Sequence, residues 1–202
     1  MNNASRYIVG FLLVAIFVFF GVAIFRSATN NDDKKPETVA TVVQAKTLPE
    51  YAGTDAEVSV NVVGPIIGEA EHRQIRITVS RDRRTLDVLQ GYQGRVIKTK
   101  SYFNDQSAYD VFLRALQGLN FTASKTPKIE DEFKACPLGV HYEYALDKTG
   151  SDDEDFKLWS VSCGVDIGTF AGGPGPTIRT LFQKQIPDYD ALVEGVNVQP
   201  LQ

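Results

Sequence analysis

The sequence has few of the residue types that most often form a chemical centre. Its 202 residues include two cysteines, two histidines, one methionine and one tryptophan. The two histidines, His72 and His141, are distant from each other, and the two cysteines and two histidines together lack the spacing of a metal-ligand set, which argues against a zinc site. No serine or cysteine occupies a recognisable nucleophile motif. We therefore expect no catalytic, metal or cofactor site, and we expect that the chain is not an enzyme.

One alternative to this expectation stays open. His72 follows Glu69 and Glu71, and a histidine beside a carboxylate can perform general acid–base chemistry. His141 lies on a predicted strand and is a second candidate. A hydrolase would require the fold to bring one of these rings to a carboxylate and a hydroxyl. This is the third of the three interpretations that we carry forward.

The chain also lacks an excess of positive charge. Its net charge of −4 excludes a generally basic nucleic-acid-binding protein, although it permits a local basic patch. Hydrophobic residues make up 43% and charged residues 23% of the sequence, which is an ordinary globular composition. The length outside the first fifty or so residues suits one domain with a hydrophobic core.

The longest stretch without a charged or strongly polar side chain is Tyr7–Phe25. A helix over this stretch would be roughly 28 Å long, close to the ~30 Å thickness of a bilayer core. A helix buried in a soluble domain seldom stays apolar on every side for such a length. The stretch therefore predicts a single transmembrane helix.

Retention or removal of this segment is a separate question. A cleaved signal peptide has a shorter apolar core and a small-residue cleavage site, for which Gly21-Val22-Ala23 is the alternative. Because that site lies inside the apolar run, we favour an uncleaved signal anchor. The basic residues that follow the run outnumber Arg6 before it, so the flanking charges do not favour a cytoplasmic N-terminus. The large domain that follows an N-terminal apolar segment nevertheless favours an extracytoplasmic location for that domain.

We therefore divide the sequence into three regions. Residues 1–25 are the N-terminal flank and membrane anchor, residues 26–56 a flexible tether, and residues 57–202 an extracytoplasmic domain. The tether is polar and rich in turn-forming residues, so it cannot bury enough apolar surface to fold.

The first half of the domain alternates apolar and polar residues with a period of two, which is typical of half-buried strands. A strand is predicted at 58–63, and the short turns between three further strands at 73–80, 85–92 and 95–103 predict an antiparallel meander. A helix is expected next, with Asn104 or Asp105 as its N-cap and Gly118 at its end. Its apolar stripe is formed by Tyr109, Phe112, Leu113 and Leu116.

The second half repeats this order of elements. A hairpin is predicted from 139–147 and 155–163, followed by a short third strand at 168–170. A second helical stripe contains Ile178, Leu181, Phe182 and Ile186. The fold class is α+β, an antiparallel sheet of about five to seven strands with two main helices on one face. Either a duplicated β-β-β-α unit or an ordinary α+β sheet explains the pattern.

The two cysteines lie at one end of the predicted second hairpin. Antiparallel pairing of its strands brings Cys136 near Cys163, which favours a disulfide. An extracytoplasmic compartment permits such a bond. Two buried free thiols, or redox or metal chemistry, are the alternatives.

Residues 73–100 carry eight basic residues and two acids, a local charge of +6. The predicted strands present part of this charge on a sheet face, and the candidates for contact with an anionic ligand are Arg76, Arg83, Arg84, Lys98 and Lys100. An anionic envelope polymer, lipid headgroups or external DNA would suit such a surface. The alternative is a solvated face whose charges protect a sheet edge.

Two loops have weaker alternatives. The glycine-rich stretch 168–177 precedes a helix and offers backbone N–H groups to an anion, but it lacks a P-loop or Rossmann pattern, so we expect a flexible connector. The acidic stretch 147–155 offers oxygen ligands to a cation, but it does not match an EF-hand, so we expect a solvated hairpin tip.

Several segments together resemble a known group of sequences. They are VVGPI at 62–66, HRQIRITVS at 72–80, LQGY at 89–92, AYDVFLRAL at 108–116, CPLGVHYEY at 136–144, LWSVSC at 158–163 and TIRTLFQKQIPDY at 177–189. They resemble uncharacterised single-span extracytoplasmic proteins of Saccharibacteria-type candidate phyla. The resemblance covers about residues 58–196. It implies a small bacterial cell-envelope protein, and it implies no activity or catalytic residue.

We therefore predict a membrane-anchored cell-envelope protein that binds and does not catalyse. Its first expected ligand is an anionic surface polymer on the basic residues of 73–100. The second interpretation is an assembly or inhibitor-like protein that binds an envelope protein through a strand edge or the 164–176 loop. An envelope hydrolase is the third.

Overall fold

The computed structural model describes residues 47–148 and 156–200. The chain divides into residues 1–44 and 45–202, and every described residue belongs to the second unit. The predicted transmembrane segment Tyr7–Phe25 and most of the acidic tip 147–155 lie outside the described residues. No helix within the described ranges is long and apolar enough to span a membrane.

Seven strands form one fully antiparallel sheet in the described ranges, with the order β4-β3-β2-β1-β5-β6-β7. The strands are β1 Ala56–Val63, β2 Arg73–Val79, β3 Arg83–Gln90, β4 Arg95–Phe103, β5 His141–Lys148, β6 Phe156–Val161 and β7 Gly164–Gly168. The predicted α+β class and antiparallel sheet are therefore confirmed. The meander of β2, β3 and β4 lies on one side of β1, and β5, β6 and β7 lie on the other.

Four α-helices accompany the sheet in the described ranges: α1 Gln106–Gly118, α2 Glu132–Ala135, α3 Gly175–Gln183 and α4 Tyr189–Val193. The N-cap of α1 is Asp105, whose carboxylate accepts a hydrogen bond of 2.9 Å from the backbone N–H of Ala108. The helix α3 ends at Gln183, so Ile186 of the second apolar stripe lies in the turn that follows it, just before Pro187.

The main core lies between one face of the sheet and the helices α1 and α3. Alternate residues of β1 and β2, among them Val58, Val60 and Ile77, are almost fully buried on this face. The rings of Phe112 from α1 and Phe182 from α3 meet edge to face, with centroids 5.1 Å apart. Both main helices therefore cover the same face of the sheet, as the sequence predicted.

Folded structure begins earlier than the sequence analysis placed it. Leu48 and Tyr51, which were assigned to the tether, lie in a short 3-10 helix, and both side chains are buried in the main core. Residues 47–56 thus belong to the domain, because this turn places two apolar side chains beside α1. The spacing Thr47 to Glu50 is a helix-start signature, and the Glu50 carboxylate accepts a 2.5 Å hydrogen bond from the Thr47 N–H.

The third strand of the second half is also displaced from its prediction. Residues 168–170 were expected to form it, but the strand is Gly164–Gly168. Gly168 has a φ of +100°, and a Cβ atom there would lie 2.3 Å from the Trp159 carbonyl oxygen, so the chain turns away at this residue. Phe170 lies beyond the strand, where it forms an isolated bridge to Ser124 and its N–H donates a 3.0 Å hydrogen bond to the Trp159 carbonyl. The order of elements repeats in the two halves, and duplication stays a prediction.

Candidate functional site

One edge of the described sheet is formed by β4, and its nine residues are almost all exposed. It pairs with β3 alone among the described strands. An edge strand presents a row of backbone N–H and C=O groups with no partner strand. Arg95, Lys98 and Lys100 lie on β4, and the strand contains no acidic residue. This edge is therefore both basic and open to pairing.

The same strand exposes apolar side chains. Val96 is 52%, Ile97 45% and Phe103 85% exposed. A register shift between Val88 and Leu89 of β3 leaves Ile97 as the extra residue of a bulge. The edge therefore offers apolar and charged side chains along its whole length.

The five basic candidates do not share one face of the sheet. Arg84, Lys98 and Lys100 pair with Val79, Val88 and Leu86, which are buried on the helix side. Arg76 lies between the buried Ile75 and Ile77, so it points to the opposite face, and Arg83 shares that side. The prediction of a single basic face is thus wrong. The physical reason is the alternation of side chains along β3, which separates the adjacent residues Arg83 and Arg84.

Two of these basic side chains already bind backbone oxygens. The Lys98 ammonium donates a 2.6 Å hydrogen bond to the Leu192 carbonyl in α4, and Arg84 donates two hydrogen bonds to the Phe103 carbonyl, the shorter of 2.8 Å. Lys100 lies 5.7 Å from the centroid of the Tyr102 ring and is exposed. Lys100 is therefore the best placed of the three to meet an external anion at the edge.

The glycine-rich loop forms one wall of an open cleft of about 1030 Å³ on the helix side of β5 and β6. Its glycines are needed for close packing rather than for flexibility: a Cβ atom on Gly172 or Gly173 would collide with the Asn120 or Leu119 carbonyl oxygen. The loop is anchored by a 2.7 Å hydrogen bond from the Gly173 N–H to the Leu119 carbonyl. The expected flexible connector is therefore a fixed, packed wall.

Arg179 of α3 lies in this cleft, and sequence reasoning did not identify it. Its guanidinium stacks 3.8 Å from the centroid of the Tyr142 ring and donates a 3.3 Å hydrogen bond to the Tyr144 hydroxyl. Both tyrosines come from β5, more than thirty residues earlier in the chain. The only local signal was the alternation that places Tyr142 and Tyr144 on one face of that strand.

The two histidines lie in the protein interior. His72 and His141 are each 1% exposed. His72 donates a 3.1 Å hydrogen bond from Nδ1–H to the Pro65 carbonyl and stacks on Tyr92, while the rings of His141 and Phe133 meet edge to face. Neither ring is presented to solvent, so neither can meet a substrate without an opening of the fold. That the chain is not an enzyme stays a prediction.

Burial lowers the pKa of His141, an effect that the nearby His72 strengthens and Glu143 opposes. Neither ring nitrogen of His141 has a hydrogen-bond partner among the described residues. Burial therefore disfavours the charged form of this ring.

A polar network occupies the sheet face opposite the main helices. The side-chain amide nitrogen of Asn61 donates to the side-chain amide oxygen of Gln74 at 3.0 Å and to the carboxylate of Glu143 at 2.9 Å. Lys157 forms a 2.8 Å ion pair with the same carboxylate. Burial, followed by the charge of Glu143, raises the pKa of Glu132 on α2. This network joins β2, β1, β5 and β6, and it leaves Oδ1 of Asn61 and Oε2 of Glu132 without a hydrogen-bond partner among the described residues.

The cysteines form the expected bond. The sulfur atoms of Cys136 and Cys163 are 2.08 Å apart, and their Cα atoms are 6.1 Å apart. The antiparallel pairing of β5 with β6 produces this approach, as the sequence predicted. The disulfide ties the loop before β5 to the turn between β6 and β7.

Within residues 47–148 and 156–200, no group of three or more His, Cys, Asp or Glu side chains is arranged to hold a metal ion. The fold and the surfaces above define an antiparallel α+β domain with a basic edge strand and a separate cleft. Neither a protein-family model nor a curated protein matches the chain.

Proposed function

We propose that this protein is a non-catalytic binding module of the cell envelope, anchored by Tyr7–Phe25, that adds an extended acidic segment of a partner polypeptide to the edge of β4. The observation that carries the proposal is the nine-residue edge, which has three basic residues, no acid and no neighbouring strand among the described residues. Strand addition gives affinity through backbone hydrogen bonds and specificity through alternate side chains.

Charge decides which partner strand is favoured. A second copy pairing through β4 would bring the lysines and Arg95 of both copies onto one small ribbon, and like charges on paired strands destabilise it. Acidic residues on the partner strand would instead pair with Lys100 and Arg95. Charged residues that only protect an edge do not require Val96, Ile97 and Phe103 to be exposed beside them. Together these residues favour an amphipathic, acidic strand over a second copy.

The proposal is tested with a synthetic nine-residue peptide in which Glu alternates with Val and Thr, titrated against the protein at low and moderate salt. Binding is expected, with weakening as salt increases. The same peptide N-methylated on every backbone nitrogen should bind at least tenfold more weakly, because neither of its edges then offers the donors that strand pairing requires. Equal binding of both peptides would mean that the edge attracts polyanions without strand addition, and would overturn the proposal.

Lys100→Glu supplies the matched variant. We expect it to weaken binding of the Glu-Val-Thr peptide about fivefold to tenfold, since an attractive pair becomes a repulsive one. Lys184→Glu, at the exposed end of α3, changes the net charge equally and should leave binding unchanged. Equal effects of the two variants, or no binding at low salt, would contradict the assignment to β4.

A further inference from the structure

We propose that the cleft beside the glycine-rich loop is a second binding site, which takes a small hydroxylated carboxylate, such as a sugar acid, on Arg179. This proposal is independent of the β4 edge, which belongs to the opposite side of the sheet order. The cleft is about 1030 Å³, a size typical of small-molecule sites.

The guanidinium of Arg179 is held in place before any ligand arrives. The Tyr142 ring stacks on one face of the guanidinium, and the Tyr144 hydroxyl accepts a hydrogen bond from it. Tyr144 is itself fully buried and stacks on Phe170, with ring centroids 4.3 Å apart. An arginine fixed in this way loses little further rotamer freedom on binding. The site is therefore organised in advance.

Gly175 is part of this arrangement. A Cβ atom at this position would lie 3.0 Å from Nη1 of Arg179 and 3.2 Å from the Tyr144 hydroxyl. The absence of a side chain thus makes room for the guanidinium one helical turn below it. A larger residue would press on the guanidinium and on the buried Tyr144 hydroxyl to which it is hydrogen-bonded.

The guanidinium has donors to spare. It carries five N–H groups, and its one hydrogen bond in the described chain is the long one to Tyr144. Among the residues that the structure describes, no Asp or Glu lines the cleft and none forms an ion pair with Arg179. A carboxylate accepts two parallel hydrogen bonds from such a fork, the geometry that arginine recognises best.

The remaining walls specify what the carboxylate is attached to. Ser160 and Ser162 bring hydroxyl groups, and the Ser162 oxygen already accepts a 2.9 Å hydrogen bond from the Val140 N–H, which leaves its own O–H to donate. Pro174 and Pro176 form an apolar wall on the other side. Hydroxyls on one wall and carbon surface on the other are complementary to a hydroxylated ring that carries a carboxylate.

The test uses sodium glucuronate as the probe, with glucose and inorganic phosphate as comparisons, and follows amide chemical shifts of the disulfide-intact protein. We expect saturable shifts at the cleft residues with glucuronate, none with glucose, and binding of phosphate at least tenfold weaker. Phosphate binding as tight as glucuronate would overturn the carboxylate assignment. No saturable binding of glucuronate at millimolar concentration would overturn the site.

Variants locate the binding. Arg179→Gln should abolish it, and Arg179→Lys should weaken it at least tenfold because an ammonium lacks the fork. Gly175→Ala should also weaken it, since the new Cβ displaces the guanidinium. Arg76→Gln on the opposite sheet face is the matched control and should bind as the parent does. Unchanged binding by Arg179→Gln, with the same melting temperature, would place the ligand elsewhere.

Discussion

At the scale of single residues, the interior of this domain combines polar groups that are paired with a few that are not. Asn61 uses its amide nitrogen twice, while His141 is enclosed with both ring nitrogens unpartnered in the described chain. Burial without partners disfavours the charged form of the ring, because charging it would cost desolvation without a compensating contact. The amide of Asn61 does not titrate, so the pH dependence is expected from His141.

Stability should fall as the pH decreases from 7.5 to 5.5. The pKa of His141 is lowered in the folded protein, first by burial, so the unfolded chain takes up a proton near its ordinary value of about 6.5 before the folded chain does. Unfolding is therefore favoured progressively below that value. Urea unfolding at a series of pH values measures the effect.

His141→Leu is the control for this prediction, since leucine fills a volume similar to that of the imidazole and does not titrate. Its unfolding free energy should depend less on pH in the same window. Burial raises the pKa of Glu132, so protonation of this carboxyl stabilises the folded protein as the pH falls and opposes the effect of His141. The comparison is therefore made above pH 5.5. A slope unchanged by the substitution would assign the pH dependence to other groups.

A second residue-scale prediction concerns Gly139. A Cβ atom at this position would lie 2.2 Å from the Cys136 sulfur and 2.7 Å from the Ser162 hydroxyl oxygen. Gly139→Ala should therefore destabilise the domain by about 1–3 kcal/mol through overpacking. Chemical denaturation measures the loss. Gly118→Ala, where the new Cβ meets nothing within 4 Å, should be neutral or slightly stabilising, and equal losses in both would contradict the packing argument.

At the scale of elements, what could be predicted was set by local pattern. The strand β2 and the helix α1 follow directly from period-two and period-3.6 alternation, and both were placed at or within a residue of their bounds. The end of β7 at Gly168 depends on the Trp159 backbone of a neighbouring strand, which no local pattern contains. The cleft needed Arg179 on a helix and Tyr142 on a strand, so only tertiary structure could reveal it.

The disulfide is the element-scale feature with the largest expected effect. It links the start of β5 to the end of β6 across a sequence separation of 27 residues. On the chain-entropy model a bond closing such a loop stabilises by about 3.5 kcal/mol. Cys136→Ser combined with Cys163→Ser should lose roughly that amount in urea unfolding.

Reduction of the parent protein by a thiol reagent should produce the same loss as the double substitution, and the reagent should leave the double variant unaffected. Thiol titration of unreduced, denatured parent should find no free thiol. Two reactive thiols in that measurement would contradict the bond. A stability loss well below 1 kcal/mol would show that the reduced chain keeps the hairpin by its strand pairing alone.

At the scale of the whole molecule, the two proposed surfaces occupy opposite ends of the sheet order. The β4 edge lies at one end, and the cleft lies against β5 and β6 near the other. Binding at one does not cover the other, so a polypeptide partner and a small carboxylate can be held together. Disulfides persist in oxidising compartments, so the bond between Cys136 and Cys163 is compatible with the proposed location in the envelope.

The final prediction concerns the predicted anchor, Tyr7–Phe25. Produced in a bacterium with its full sequence, the protein should remain in the membrane after alkaline carbonate washing, and its intact mass should include residues 1–25, because the apolar run is long enough to span the bilayer. Phe17→Arg should reduce retention, since a charge at the centre of a span costs about 2.5–3.5 kcal/mol on insertion scales. Phe103→Arg, on the exposed end of β4, is the matched control and should be retained as the parent is. A mature mass that lacks residues 1–23 would identify a cleaved signal and contradict the anchor.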